Sequence, residues 1–167
     1  MPNVGKVYTL YDRCQVNLAN NMSHIHNDRA TFNYTILEEI EAGLELLGTE
    51  VKSLRAGHGS LKGARVVARG GEAFLVGATI PAWQVKNADA SFDALRTRKL
   101  LLSKKQIAHV ASAEGQAGLT IVPISVYSKG QKLKLSIGIA RGKKKQDKRQ
   151  DIKKRDDDRR VQRSLRA

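Results

Sequence analysis

Hydrophobic and polar residues alternate along several segments of the chain, and a period of two is typical of half-buried β-strands. The alternation is clearest over residues 132–139, where leucine and isoleucine alternate with lysine, serine and glycine. Residues 119–127 are rich in β-branched side chains and predict a second long strand just before it. Residues 128–131 supply the connecting turn. The pattern therefore predicts a long hairpin near the end of the domain.

Further strands are predicted earlier in the chain. Apolar and polar residues alternate over residues 31–36, and the apolar pattern resumes over residues 40–47. Residues 64–68 and 72–78 flank the sequence Arg69-Gly70-Gly71. Paired glycines tolerate the positive φ that a tight hairpin turn requires, so these two segments predict a second hairpin.

Two segments carry helix signals instead. Residues 49–55 predict a short helix with Thr49 as its N-cap and Gly57 just beyond its end. Residues 103–113 predict a second helix, which begins at Ser103 and shows apolar residues three apart on one face.

These elements predict a mainly β fold with short helices. About six strands in so short a chain favour closure, because closure removes the exposed edges of a small sheet. We therefore expect an OB-like closed β-barrel over residues 27–140.

Residues 1–26 are poorly patterned and predict a flexible N-terminal extension. The apolar pattern stops after Ala140, so residues 141–167 are predicted to form a tail that is disordered in the free protein.

The distribution of charge indicates the class of partner. The chain carries a formal net charge of +14. Residues 141–167 contain 13 Lys and Arg against 5 Asp, and residues 1–140 contain 17 Lys and Arg against 11 Asp and Glu. A basic domain with a more basic tail suggests a polyanion, because each neutralised phosphate releases condensed counterions. Nucleic acid is favoured, and an anionic membrane surface is the competing interpretation.

Other classes of protein are disfavoured. Cys14 is the single cysteine, so no internal disulfide and no cysteine-based zinc site are expected, and neither a membrane helix nor a secretory signal is predicted. We expect a soluble cytoplasmic protein.

Glu38 and Glu39 are adjacent and would point to opposite faces of a strand, so they do not suggest a catalytic pair. His24 and His26 could chelate a metal, but a solvated arm is the simpler interpretation. We predict no enzyme, cofactor or metal.

Several ordered blocks resemble the SmpB family of SsrA-binding proteins over about residues 27–155. The blocks are Asn27 with Arg29-Ala30, Glu41-Ala42-Gly43, residues 48–57 (GTEVKSLRAG), residues 71–75 (GEAFL), residues 96–102 (RTRKLLL), Gly142-Lys143-Lys144 and Asp147-Lys148-Arg149. Their order and spacing make a chance match improbable.

The resemblance implies an OB-type barrel that holds the tRNA-like domain of transfer-messenger RNA. It also implies a tail that enters the empty mRNA channel of a stalled 70S ribosome and acts at the decoding centre. The unfinished peptide is then tagged by trans-translation. A monomer is expected.

The resemblance also suggests which residues contact RNA. The expected contacts with transfer-messenger RNA are Asn27, Arg29, Phe32, Tyr34, Glu41, Gly43, Lys52, Arg55, Arg96, Arg98, Lys99, Lys132 and Lys134. The expected ribosome contacts in the tail are Gly142, Lys143, Lys144, Lys145, Gln146, Asp147, Lys148, Arg149, Lys153, Lys154 and Arg155. A purely structural role is the alternative for Glu41, Gly43 and Arg55, and a solvated strand face is the alternative for Lys132 and Lys134.

Some residues depart from the family pattern. Phe32 stands where the family usually has histidine, Gln146 where it commonly has histidine or tyrosine, and residues 156–158 are all Asp where it has a tryptophan. Phe32 can still stack on an RNA base but lacks the polar group of histidine, whereas the two tail changes remove stacking groups. The tail changes leave open a divergent homologue that binds structured RNA without supporting tagging. The charge alone would also fit an ordinary ribosomal or nonspecific nucleic-acid-binding protein.

Overall fold

The computed structural model of the chain describes residues 22–84, 92–144 and 147. Seven strands and three helices follow one another within these residues. Their bounds are β1 Met22–His26, α1 Asp28–Asn33, β2 Tyr34–Leu44, α2 Gly48–Arg55, β3 Arg65–Arg69, β4 Glu72–Val76, β5 Arg98–Leu101, α3 Lys104–Gly115, β6 Leu119–Lys129 and β7 Lys132–Gly142.

All seven strands belong to one antiparallel sheet in the order β1-β6-β7-β2-β5-β4-β3. Both predicted hairpins are present. Gly70 and Gly71 have φ of 59° and 77° in the β3–β4 turn, a conformation that other residues adopt only at a cost. The β6–β7 hairpin is long, with residues Leu119 and Arg141 paired at its open end and Lys129 and Lys132 at its tip.

The main core lies on one side of this sheet. Leu75, Leu135 and Ile137 have no exposed surface, and helix α3 adds Val110 and Ala113 to the same cluster. A smaller apolar cluster contains Ala30, Val122 and Ala140. The predicted alternation over β7 is confirmed, because its leucine and isoleucine side chains face the main core.

The sheet is not a closed barrel, and that prediction is wrong. No hydrogen-bonded pair joins the edge strands β1 and β3 among the residues that the structure describes. Helix α3 contacts both β3 and β6 on this side of the sheet. In addition, Glu114 of α3 accepts a 2.8 Å hydrogen bond from the edge amide of Ala68. Because the Glu114 carboxylate accepts this hydrogen bond, the Ala68 amide does not need a partner on a further strand.

Two corrections concern the start of the domain. Residues Met22–His26 were predicted to belong to a flexible extension, but they form β1 and pair with β6; residues 1–21 lie outside the described part of the chain. Residues Asp28–Asn33 form helix α1, whereas the alternation predicted a strand from Thr31. A helix of six residues is marginal alone. Burial of Ala30 in the smaller apolar cluster stabilises it here.

The predicted helices are present, with altered ends. The second helix was predicted to begin at Ser103; it begins at Lys104, and Ser103 is its N-cap, whose hydroxyl accepts a hydrogen bond from the Gln106 amide. Helix α2 begins after Leu47 instead of Thr49, and the Glu50 carboxylate accepts a 2.9 Å hydrogen bond from the Leu47 amide. Strand β7 continues to Gly142, two residues past the predicted domain boundary. None of the described helices is long and apolar enough to cross a membrane.

Candidate nucleic-acid interface

Three neighbouring strands place a carboxylate among cations on the outer face of the sheet. Tyr127 Oη donates a 2.6 Å hydrogen bond to Glu41 Oε2, and Lys129 Nζ donates a 2.9 Å hydrogen bond to the same oxygen. Lys134 Nζ lies 3.4 Å from Glu41 Oε1. Glu41 belongs to β2, Lys134 to β7, and the other two residues to β6. The carboxylate therefore fixes two lysines and a phenol at defined positions.

The electrostatics of this cluster are strongly perturbed. The hydrogen bonds from Tyr127 and Lys129 lower the pKa of Glu41 from 4.5 to about 2, against the opposing effect of partial burial. Burial and the hydrogen bond to Glu41 raise the pKa of Tyr127. Glu41 is therefore ionised at neutral pH, and one negative charge is set against two ammonium groups. The cluster keeps a net positive charge that can contact phosphate.

Helix α2 extends this positive region to the hairpin tip. The Arg55 guanidinium donates a 2.9 Å hydrogen bond to the carbonyl of Gln131, which lies between β6 and β7. Lys132 is exposed at the same tip and pairs in register with Lys129. We call the surface formed by Arg55, Lys129, Lys132 and Lys134 the basic hairpin surface.

A second group of predicted contacts lies near the start of the tail. Arg29 is exposed on α1, and Phe32 and Tyr34 are half-buried at its end. The Lys143 amide donates a 2.9 Å hydrogen bond to the Asn33 carbonyl, and Lys143 Nζ donates a 2.9 Å hydrogen bond to the Thr31 carbonyl. The first residues after β7 are therefore attached to the last turn of α1.

Only part of the predicted tail site is described. Gly142 ends β7, and the Lys144 amide donates a 3.0 Å hydrogen bond to Asp147 Oδ2. The remaining predicted ribosome contacts lie outside the described residues: Lys145, Gln146, Lys148, Arg149, Lys153, Lys154 and Arg155.

Arg98 was predicted to face RNA, but the structure buries it completely. Its side chain is 0% exposed and donates two hydrogen bonds, of 3.0 and 2.8 Å, to Glu50 Oε1. It also donates to the carbonyls of Ala78, Ala94 and Arg96 at 2.8 to 2.9 Å. All three nitrogen atoms of the guanidinium donate hydrogen bonds inside the fold, so Arg98 has no exposed surface that could contact a ligand.

The partner of Arg98 is also buried. Glu50 is 0% exposed, and Arg96, whose side chain is 30% exposed, donates to Glu50 Oε1 at 2.9 Å. Burial alone would raise the pKa of Glu50, but hydrogen bonds from Arg96, the Leu47 amide and Arg98 together lower it. Arg96 therefore pairs with Glu50 while part of its side chain remains exposed to solvent.

Three other predicted contacts have structural roles. Asn27 is only 4% exposed, and its Nδ2 donates hydrogen bonds to the carbonyls of Leu61 and Pro123. A Cβ atom on Gly43 would lie 3.0 Å from the Leu101 Cβ, so glycine permits the close pairing of β2 with β5. Lys99 forms an ion pair with Glu72 on the neighbouring strand. Lys52 is exposed on α2.

The described residues contain no group of three His, Cys, Asp or Glu side chains that could hold a metal ion. His109 Nε2 and Glu38 Oε2 form a 2.8 Å hydrogen bond between α3 and β2. Glu41, Glu50 and Glu114 each accept hydrogen bonds from other groups of the chain itself. The basic hairpin surface is thus suited to binding an anion.

Comparison with known proteins agrees with this description. The family model described as "SmpB protein" matches residues 24–167, which include most of β1, all of β2 to β7 and the tail. The chain belongs to the SmpB family.

Individual members of the SmpB family are similar over most of their length. The SsrA-binding protein of Thermosynechococcus vestitus is 47% identical over 139 residues, which are 83% of this chain and 91% of the relative. That of Alkalilimnicola ehrlichii is 48% identical over 83% of this chain and 87% of the relative. A solved structure described as "tmRNA-SmpB: a journey to the center of the bacterial ribosome" is 41% identical, with a TM-score of 0.61 over 72% of this chain and 84% of that one.

Sequence reasoning missed two residues of the candidate interface in this SmpB-family chain. Lys129 was assigned to a turn and Tyr127 to the end of an apolar strand, yet both bind Glu41. A signal was available, because the two residues are two apart on one strand and therefore share a face. Pairing β6 with β7 in register places them opposite Lys134 and Lys132.

Proposed function

We propose that this chain binds the tRNA-like domain of transfer-messenger RNA and delivers it to stalled ribosomes for trans-translation. The observation that carries the proposal is the basic hairpin surface, which lies in a chain of the SmpB family. The partners are transfer-messenger RNA and the stalled ribosome, and the place of action is the cytoplasm, where ribosomes translate. No catalytic step by this chain is part of the proposal.

Arg55, Lys129, Lys132 and Lys134 are the proposed phosphate contacts. They are spread over a helix end and a hairpin, so they can follow the shape of a folded RNA without reading its sequence. Glu41 positions Lys129 and Lys134 and does not itself contact phosphate in this proposal.

Two further sets of residues complete the proposed interface. Arg29, Phe32 and Tyr34 would contact RNA beside the tail, with Phe32 or Tyr34 stacking on an unpaired base. Residues 141–167 would enter the mRNA channel, where 13 Lys and Arg residues suit a tunnel lined by phosphate groups.

The test compares affinities for the tRNA-like domain of transfer-messenger RNA, an ordinary tRNA and a plain RNA hairpin at two salt concentrations. A preference for the first RNA that persists at the higher salt is expected. Lys132→Ala with Lys134→Ala should weaken binding, whereas Lys104→Ala with Lys105→Ala, on the exposed side of α3, serves as the matched control. Equal binding to all three RNAs that is lost at higher salt would refute the proposal.

A second candidate function is suggested by the composition of the tail. Gln146 and the acidic residues 156–158 offer neither a stacking group nor attraction to RNA. Such a chain would bind the RNA as a scaffold or competitor without supporting tagging. In a reconstituted tagging reaction, restored activity of a Gln146→Tyr and Asp157→Trp variant over an inactive parent would favour this alternative. Full tagging by the parent, lost on deletion of residues 141–167, would exclude it.

A further inference from the structure

Two exposed aromatic rings that are not part of the basic hairpin surface stack on each other. The rings of His58 and Trp83 have centroids 5.5 Å apart and lie within 20° of parallel. Trp83 is 44% exposed, and His58 is also exposed. A single exposed apolar residue needs no explanation. A stacked pair whose members both keep solvent-accessible surface is different, because it presents an aromatic face on which another planar group can stack.

The backbone holds this pair in place without help from the stack. Ser60 and Thr79 form an isolated antiparallel bridge with hydrogen bonds of 2.8 and 2.9 Å. The His58 amide also donates a 2.9 Å hydrogen bond to the Ser53 carbonyl at the end of α2. The two segments that carry the rings are therefore tied together by main-chain hydrogen bonds. The side chains are not required to close the loop, which leaves their exposed stacking unexplained by structure alone.

The charge of the segment that carries His58 indicates what could stack there. Residues 51–71, which contain His58, carry five Lys and Arg residues and no Asp or Glu. The exposed members of this set include Lys52 and Arg55 before the histidine and Lys62 and Arg65 after it. Aromatic side chains set among cations bind single-stranded nucleic acid, because bases stack on the rings while phosphates contact the cations. An apolar peptide would gain nothing from these charges.

We propose that His58 and Trp83 form a stacking platform for an unpaired base of RNA. The platform would take a nucleotide from a loop or a single-stranded segment, independently of base identity. It rests on the proposed function in that the natural ligand would be an unpaired part of the RNA that the basic hairpin surface binds. The platform itself can be tested with a simple oligonucleotide.

Trp83 is the only tryptophan of the chain, so intrinsic fluorescence reports directly on the platform. The full chain is titrated with a short oligouridylate, which has little structure of its own, and separately with inorganic polyphosphate of equal charge. The oligouridylate should quench the fluorescence to saturation, and the polyphosphate should not. Equal quenching by both polyanions would overturn the proposal, because it would indicate an effect of charge alone.

Variants then separate stacking from folding. Trp83→Leu should weaken the binding of a labelled oligouridylate, measured by anisotropy, on the order of 10-fold. His58→Phe should keep the affinity because it keeps the stack, and His58→Ala should lower it. Leu37→Ala is the matched control, since Leu37 is 53% exposed on β2 and lies outside the platform. Parental affinity in Trp83→Leu would overturn the proposal.

The two proposals fail in different ways. If the chain prefers the tRNA-like domain but Trp83→Leu binds oligouridylate normally, the platform is refuted and the function remains. If oligouridylate binding depends on Trp83 but no preference for the tRNA-like domain exists, the platform is supported and the proposed function is refuted.

Discussion

The buried ion pair between Arg98 and Glu50 allows a quantitative prediction about stability. Replacement of Arg98 by Met keeps most of the apolar volume of the side chain and removes its charge. Glu50 then retains Arg96, while the carbonyls of Ala78 and Ala94 lose a buried donor. Breaking a buried pair from one side costs about 3–5 kcal/mol. Because Arg96 still pairs with Glu50, we expect the free energy of unfolding to fall by about 3 kcal/mol.

Urea unfolding followed by far-ultraviolet circular dichroism measures this change. Arg65→Met is the matched control, because Arg65 is an exposed arginine on β3, and its replacement should change stability by less than about 0.5 kcal/mol. The double variant Arg98→Met with Glu50→Met should lose less than the two single variants added together, since it leaves no unpaired charge of this pair. A loss below about 1 kcal/mol for Arg98→Met would refute the view that Arg98 is needed inside the fold.

Two further predictions concern Glu41 and Gly59. Because the pKa of Glu41 is lowered from 4.5 to about 2, its carboxylate stabilises the fold above about pH 4.5, and this contribution is lost as the pH falls toward 2. Glu41→Gln should therefore be less stable than the parent at pH 6, and the difference in urea midpoint should vanish near pH 2. Gly59 has a φ of +150°, and a Cβ there would lie 2.7 Å from Ile25 Cδ1 and 3.2 Å from the Thr79 carbonyl oxygen. Gly59→Ala should destabilise the protein by about 2 kcal/mol in the same assay.

Each of these predictions has an outcome that contradicts it. A difference between Glu41→Gln and the parent that is the same at pH 6 and near pH 2 would show that the carboxylate charge does not contribute. Gly63→Ala is a control for backbone conformation alone, because Gly63 has a φ of +77° and no atom within 4 Å of the added Cβ. If Gly59→Ala loses no more stability than Gly63→Ala, the predicted steric clash is absent.

Local patterns predicted the elements whose signal is contained in a few neighbouring residues. The β7 alternation, the β3–β4 turn at Gly70 and Gly71 and the start of α3 next to Ser103 all appear in the structure. Each depends on a strand period, a positive φ or a cap, which are properties of the local sequence. The mainly β character of the fold follows from the same signals.

Features that depend on distant contacts were predicted incorrectly. The alternation around Thr31 matches a strand, but burial of Ala30 against Val122 and Ala140 favours the helix. Closure of the sheet was inferred from the number of strands, and nothing in the sequence indicated that α3 would pack against both β3 and β6.

In the candidate site, too, an exposure that depends on the local sequence was predicted correctly, and a burial that depends on a distant residue was not. The exposed Lys132 was found by its position on a strand face, whereas the burial of Arg98 depends on Glu50, which is 48 residues away. Basic side chains of the same type can bind phosphate or a buried carboxylate, and the sequence alone does not distinguish these two uses. The proposed roles of the other RNA-facing residues stay predictions.

The attachment of Lys143 to α1 has a mechanical consequence. Two hydrogen bonds, to the carbonyls of Thr31 and Asn33, fasten the first residue beyond β7 to the end of the helix that carries Arg29 and Phe32. A displacement of α1 by a ligand would therefore shift the point from which the tail departs. Contact of a ligand with Arg29 or Phe32 would thus be transmitted through α1 to Lys143.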